Sequence, residues 1–139
     1  MRTTRKAAGG ALPGSRVTAG DRERLYGLAD AAAARMPELA EYLASELDRA
    51  KVVPAGKAAE GFVRMGSEVE FRDDTTGKSQ VVSLVYPGEA DIAHGRISVL
   101  TPVGAALLGL AKGQSIGWET RTGEAKRLTV LDVREPAFA

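Results

Sequence analysis

The chain has 139 residues, enough for one compact domain with an appendage and a modest core. It has no cysteine and a single histidine, which excludes disulfide frameworks and thiolate metal sites and leaves His94 without a second His or Cys to share a metal. No stretch approaches the ~20 consecutive apolar residues of a membrane span, and the first residues lack the apolar core of a secretory signal, so a cytoplasmic location is expected.

The net charge of +1 hides an asymmetry: residues 1–19 carry +4, residues 20–60 carry −2 and residues 61–139 carry −1. The first segment holds Arg2, Arg5, Lys6 and Arg16 with no acid, is rich in Gly, Ala, Thr and Pro, and lacks apolar periodicity. It reads as a basic disordered tail over residues 1–19, either simply solvated or making weak, nonspecific contact with nucleic acid.

From residue 21 to about residue 51 the pattern is helical in two halves. Leu25, Leu28, Ala29, Ala32 and Met36 share one face of the first; Leu39, Tyr42, Leu43, Leu47 and Ala50 share one face of the second. Pro37 is costly inside a continuous helix but suits the first turn of a new one, so the chain is expected to reverse near residues 35–37 into a short antiparallel hairpin. At 1.5 Å per residue each arm of about 15 residues spans roughly 20 Å. Directly after the bend stands Glu38-Leu39-Ala40-Glu41, whose two acids lie three apart and so point to one side of a helix. Acids in a first turn are also favoured by the helix dipole alone.

Residues 54–61, with Pro54, Gly56 and Gly61, read as a linker. Residues 67–72 alternate Val69 and Phe71 with Glu68 and Glu70, as a half-buried strand does, and 73–77 make a polar hairpin loop into a second strand over 79–86 that stops at Pro87-Gly88. An acidic loop and a short strand follow. Thr101 is then placed to cap a helix with Pro102 at its first position, carrying Val103, Ala106, Leu107 and Leu110 as one apolar stripe. Residues 115–121 and 125–133 flank Thr122-Gly123-Glu124 as a second hairpin. Strands at both ends with one helix between them predict an antiparallel sheet curled around that helix.

The blocks SLVYPGEAD, ISVLTPVGAALLGL and KGQSIGWE, with ELDRAKVV ahead of them, resemble the C-terminal domain of the GreA/GreB transcript-cleavage factors, and most closely their Rnk-type relatives, the regulators of nucleoside diphosphate kinase. The similarity runs from about Leu25 to Val133. It implies an α+β protein with a short helical hairpin over 20–53 and an FKBP-like GreA/GreB C-terminal-like domain over 62–135. It also implies RNA polymerase as partner, a monomer, no catalytic residues in the globular part and no cofactor. Arms this short resemble the Rnk type; those of the cleavage factors are about twice as long. Cleavage factors carry at the hairpin tip an acidic pair in a D-L-x-E-like string that helps hold a magnesium ion in the polymerase active centre. Here Glu38 and Glu41 take that place, with Glu instead of Asp first and Pro37 instead of Gly before it. The resemblance therefore implies a noncatalytic, secondary-channel-binding regulator, with a cleavage factor using Glu38 and Glu41 as the alternative. An FKBP-like fold also raises peptidyl-prolyl isomerase activity, but its aromatic-lined pocket is hard to assemble when Trp118 and Phe71 sit on strand patterns and read as core.

Overall fold

The computed structural model describes residues 14–54, 60–119 and 122–135. Among the described residues twelve elements of mixed α+β structure follow one another. The first group is β1 (Arg16–Thr18), α1 (Ala19–Ala32), α2 (Pro37–Arg49) and β2 (Lys51–Val53). Then come β3 (Glu68–Asp73), β4 (Ser79–Val85), single-turn 3-10 helices at Pro87–Glu89 and Ile92–His94, and β5 (Arg96–Ser98). The chain closes with α3 (Pro102–Leu107), β6 (Ser115–Glu119) and β7 (Ala125–Arg134).

Five strands form one sheet in the order β5-β4-β3-β7-β6. Val69 and Phe71 of β3, Val82 and Leu84 of β4, Leu128 and Val130 of β7, and Ile116 and Trp118 of β6 are all buried on its inner side, the outcome period-two alternation dictates. One irregularity interrupts the β3–β7 ladder: Glu70 opposes Asp132 whereas Phe71 opposes Val130, so Leu131 is an extra residue that bends the strand. The sheet is not wholly antiparallel as expected, because β5 runs parallel to β4. The two 3-10 turns and their flanking loops carry the chain back before β5, and only that return allows the parallel pairing.

Helix α3 starts where its sequence dictates. Thr101 Oγ1 accepts the Gly104 N–H (3.0 Å) and donates to the Ser98 carbonyl (2.7 Å), tying the cap to the end of β5. Gly104 lets the helix approach that strand, since a Cβ there would lie 2.1 Å from Ser98 O. Ala105, Ala106 and Leu107 are fully buried against the sheet, and the helix ends at Leu107 with Leu108 and Leu110 buried in the turn beyond.

The first helices follow the predicted stripes. Leu25, Ala29 and Ala32 of α1 and Ala40, Tyr42, Leu43 and Leu47 of α2 are buried, with Leu28, Met36 and Leu39 partly so. All of these belong to the same hydrophobic cluster as the sheet and α3. The expected disordered tail over residues 1–19 needs correcting at its end: Arg16–Thr18 is a strand and Ala19 already lies in α1. Val17 is buried, β1 pairs parallel with β2, and Thr18 caps the helix by accepting the Asp21 N–H (3.2 Å). Arg2, Arg5 and Lys6 lie outside the described residues, as do 55–59 of the expected linker and residues 120–121 at the end of the strand predicted over 115–121.

Candidate functional site: the bend of the helix pair and its base

The bend over residues 33–36 is closed by backbone hydrogen bonds. The N–H groups of Arg35 and Met36 reach Ala32 O (3.1 and 2.8 Å), and the Ala40 N–H reaches Met36 O (2.9 Å). Pro37 occupies the first turn of α2, where its missing N–H costs nothing, and Met36 precedes it in a non-helical conformation with no side-chain cap. Glu38 and Glu41 follow on the exposed side of α2, one turn apart. Among the described residues no three His, Cys, Asp or Glu are grouped to hold a metal. Two carboxylates furnish only part of the six oxygens a magnesium ion takes, so the rest would have to come from outside this chain.

The opposite end of the pair is built differently. Large side chains, Leu25 and Leu43 at mid-helix and Leu47 beyond them, fill the pair toward this end and are fully buried. Glu46 is buried as well and is gripped by Arg49, with Nη2 at 2.7 Å from Oε1 and Nε at 3.3 Å from Oε2, a two-pronged pairing that compensates the buried charge. On the outer side Tyr26 donates a short hydrogen bond to Asp48, linking α1 to α2, and this bond with the acid raises the phenol's pKa.

Asp21 fastens α1 to the segment before β3 by accepting the Met65 N–H (3.2 Å). Burial raises its pKa; the Met65 N–H and the Arg24 and Arg64 charges oppose the rise without cancelling it. Arg24 lies over the Tyr86 ring, 4.7 Å from its centre, at the end of β4. Arg64 is held by Glu135 (2.8 Å), whose other oxygen accepts the Gly61 N–H (3.1 Å). Spacing in the sequence marks Glu38 and Glu41 but not this base. One signal was present: Glu46 falls on the apolar stripe between Leu43 and Leu47, where a charge must be paired.

The architecture is thus a helix pair fused to a five-stranded α+β domain, with Glu38 and Glu41 exposed beside the bend and Asp21 and Glu46 held by partners toward the other end. Residues 58–135 match the family model described as transcription elongation factor, GreA/GreB, C-term, and residues 17–53 match the Rnk N-terminus. The chain belongs to the GreA/GreB family and carries the N-terminal segment of its Rnk branch. It is 40% identical over 113 residues to the regulator of nucleoside diphosphate kinase of Escherichia coli K12, a match covering 81% of this chain and 83% of the relative. It is 35% identical over 92 residues to the elongation factor GreA of Azorhizobium caulinodans, covering 66% of this chain but 58% of that protein. Among solved structures, a GreA/GreB elongation factor from Nitrosomonas europaea superimposes with a TM-score of 0.67 at 34% identity, over 88% of this chain and 99% of that one. The chain is a regulator related to GreA and GreB.

Proposed function

We propose that the protein is a noncatalytic, Rnk-type transcription regulator that binds RNA polymerase in the cytoplasm as a monomer. The globular part, read as FKBP-like, docks at the rim of the secondary channel, and the helix pair, read as a short antiparallel hairpin, enters it and competes with other channel-binding factors. One observation carries this reading: a Rnk-type segment with helices of only 14 and 13 residues stands ahead of a GreA/GreB-type domain. At 1.5 Å per residue such arms extend roughly 20 Å. An arm of that length occupies a channel entrance without bringing Glu38 and Glu41 to a distant metal.

An effect on nucleoside diphosphate kinase, which the name of the Escherichia coli relative describes, is in this reading a consequence of altered transcription. Contact of Arg2, Arg5 and Lys6 with nucleic acid would add a weak, salt-sensitive component. The isomerase reading loses its best aromatics, since Phe71 and Trp118 are buried in the core.

A pull-down with core RNA polymerase tests the proposal, followed by competition against a cleavage factor. Retention on the polymerase and displacement of the competitor are expected. Failure to bind core polymerase at any concentration that saturates the competitor would overturn it.

A further inference from the structure

The segments matched by the two family models, 17–53 and 58–135, are joined physically by residues that begin ahead of both. Ser15 is buried, and its carbonyl accepts the Lys51 N–H (2.9 Å). The Arg16 N–H donates to Gly109 O (3.2 Å), across to the turn that ends α3. Val17 is 1% exposed and pairs with Val52, while the Arg16 guanidinium covers the Phe62 ring, 5.0 Å from its centre. Phe62 is fully buried and bridges to Ala111, and Val63 exchanges hydrogen bonds with the same turn: its N–H goes to Leu110 O and its carbonyl accepts the Gly109 N–H, each 2.8 Å. Residues 15–18, 51–53, 62–63 and 109–111 therefore meet at one place.

Gly109 is what lets them meet. Its φ of +86° lies in the left-handed region, and a Cβ there would stand 2.9 Å from Ser15 Cβ and 3.0 Å from Arg16 O. Any larger residue pushes the first strand off the turn.

We propose that residues 15–18 are a clasp that sets the angle of the helix pair on the sheet, with Gly109 and Arg16 as its positioning residues. A parallel pair of three-residue strands has little stability of its own, so its persistence depends on the segments it bridges. The clasp holds α1 at its first residue, while Asp21 on Met65 and Arg24 on Tyr86 hold the same helix at other segments of the domain. A helix attached at several separate segments does not swing about any one of them. The clasp deepens the proposed function by delivering the acidic bend at a fixed angle to whatever surface the domain docks on, yet it is a property of this chain whether or not that surface is RNA polymerase.

The absence of cysteine makes the test direct: Ala34→Cys at the bend and Lys112→Cys beside β6, both exposed, take spin labels specifically in the full chain. A single narrow distance distribution is expected. Gly109→Val should broaden and shift it, while Gly27→Ala, on an open helix surface, should leave it unchanged. An unaltered distribution in Gly109→Val overturns the clasp. Amide exchange in the unsubstituted protein gives a second reading that does not depend on the variant folding. Arg16 and Lys51 should exchange as slowly as Val69 and Val82 in the central strands, and exchange as fast as in the exposed turn at residues 92–94 overturns the proposal. Loss of polymerase binding with the clasp intact refutes only the partner.

Discussion

From its middle to its base the helix pair is filled by Leu25, Leu43 and Leu47, is pinned by Asp21 and holds the buried Glu46 against Arg49 on the same helix, whereas toward its bend the buried residues are alanines, Ala32 and Ala40, and Glu38 and Glu41 face outward. Small residues let the two helices close together near the bend, and the large ones further along join the core they share with the rest of the domain. The same two helices thus combine an anchored end with a presented end. Large apolar burial is concentrated toward the base, and the bend keeps its acids in solvent.

The largest effects should come from the base. Leu43→Ala and Leu47→Ala each remove a fully buried side chain and should cost about 2–5 kcal/mol, read as a lower denaturant midpoint. Because helix pair and sheet share one cluster, loss should appear in a single cooperative transition followed equally by helical circular dichroism and Trp118 fluorescence. Two separated transitions would show that the base is not fused to the domain. A piece starting at residue 60 should for the same reason be less stable than the full chain. Thr101→Ala comes next at about 1 kcal/mol, from loss of the cap on α3, again by denaturant titration.

A third test separates two carboxylates by sign. Burial raises the pKa of Asp21, so the folded state holds its proton more tightly than the unfolded one. Its contribution then declines as pH rises through the interval above the ordinary carboxylate value, and Asp21→Asn should remove that decline. Asp74 is opposite. Burial acts to raise it, but the hydrogen bonds from Thr129 and Arg72 and the charges of Arg72 and Arg127 outweigh that and lower it. Its contribution is present above the ordinary carboxylate value and is lost on acidification below it, and Asp74→Asn should remove that loss. Denaturant midpoints across pH 3 to 7 (a span of roughly ordinary carboxylate titration) check both slopes; a stability gain on raising pH that disappears in Asp21→Asn would contradict the first.

Much of this was legible in the sequence because local rules and burial agreed. Pro37 divided the helices, Thr101-Pro102 began α3, and the alternation around Val69 and Phe71 marked an inward face. The parallel β5 and the pairing of β1 with β2 were not legible. Three-residue strands carry too little periodicity, and β1 forms only because Lys51 and Gly109, distant in sequence, supply its hydrogen bonds. Of the candidate site, the two acids of the bend were readable from spacing; the base was not, since Asp21 and Arg24 gain their meaning from Met65 and Tyr86 across the fold.

The smallest effect is expected at the bend, and it bears most directly on function. Glu38 and Glu41 are exposed, so Glu38→Ala combined with Glu41→Ala should change stability by no more than about 0.5 kcal/mol each. A carboxylate assists a metal by coordination at about 2.0–2.6 Å, and a shortfall of several Å removes that assistance entirely. If the protein binds as proposed, arms of 14 and 13 residues put the helix pair in the channel without delivering its acids to the far end. The unsubstituted protein should therefore bind polymerase without stimulating cleavage of backtracked transcripts in magnesium, and the double variant should bind nearly as well. If the unsubstituted protein accelerates cleavage and the double variant does not, the exposed acids are the working end of a cleavage factor, and the anchored base exists to aim them.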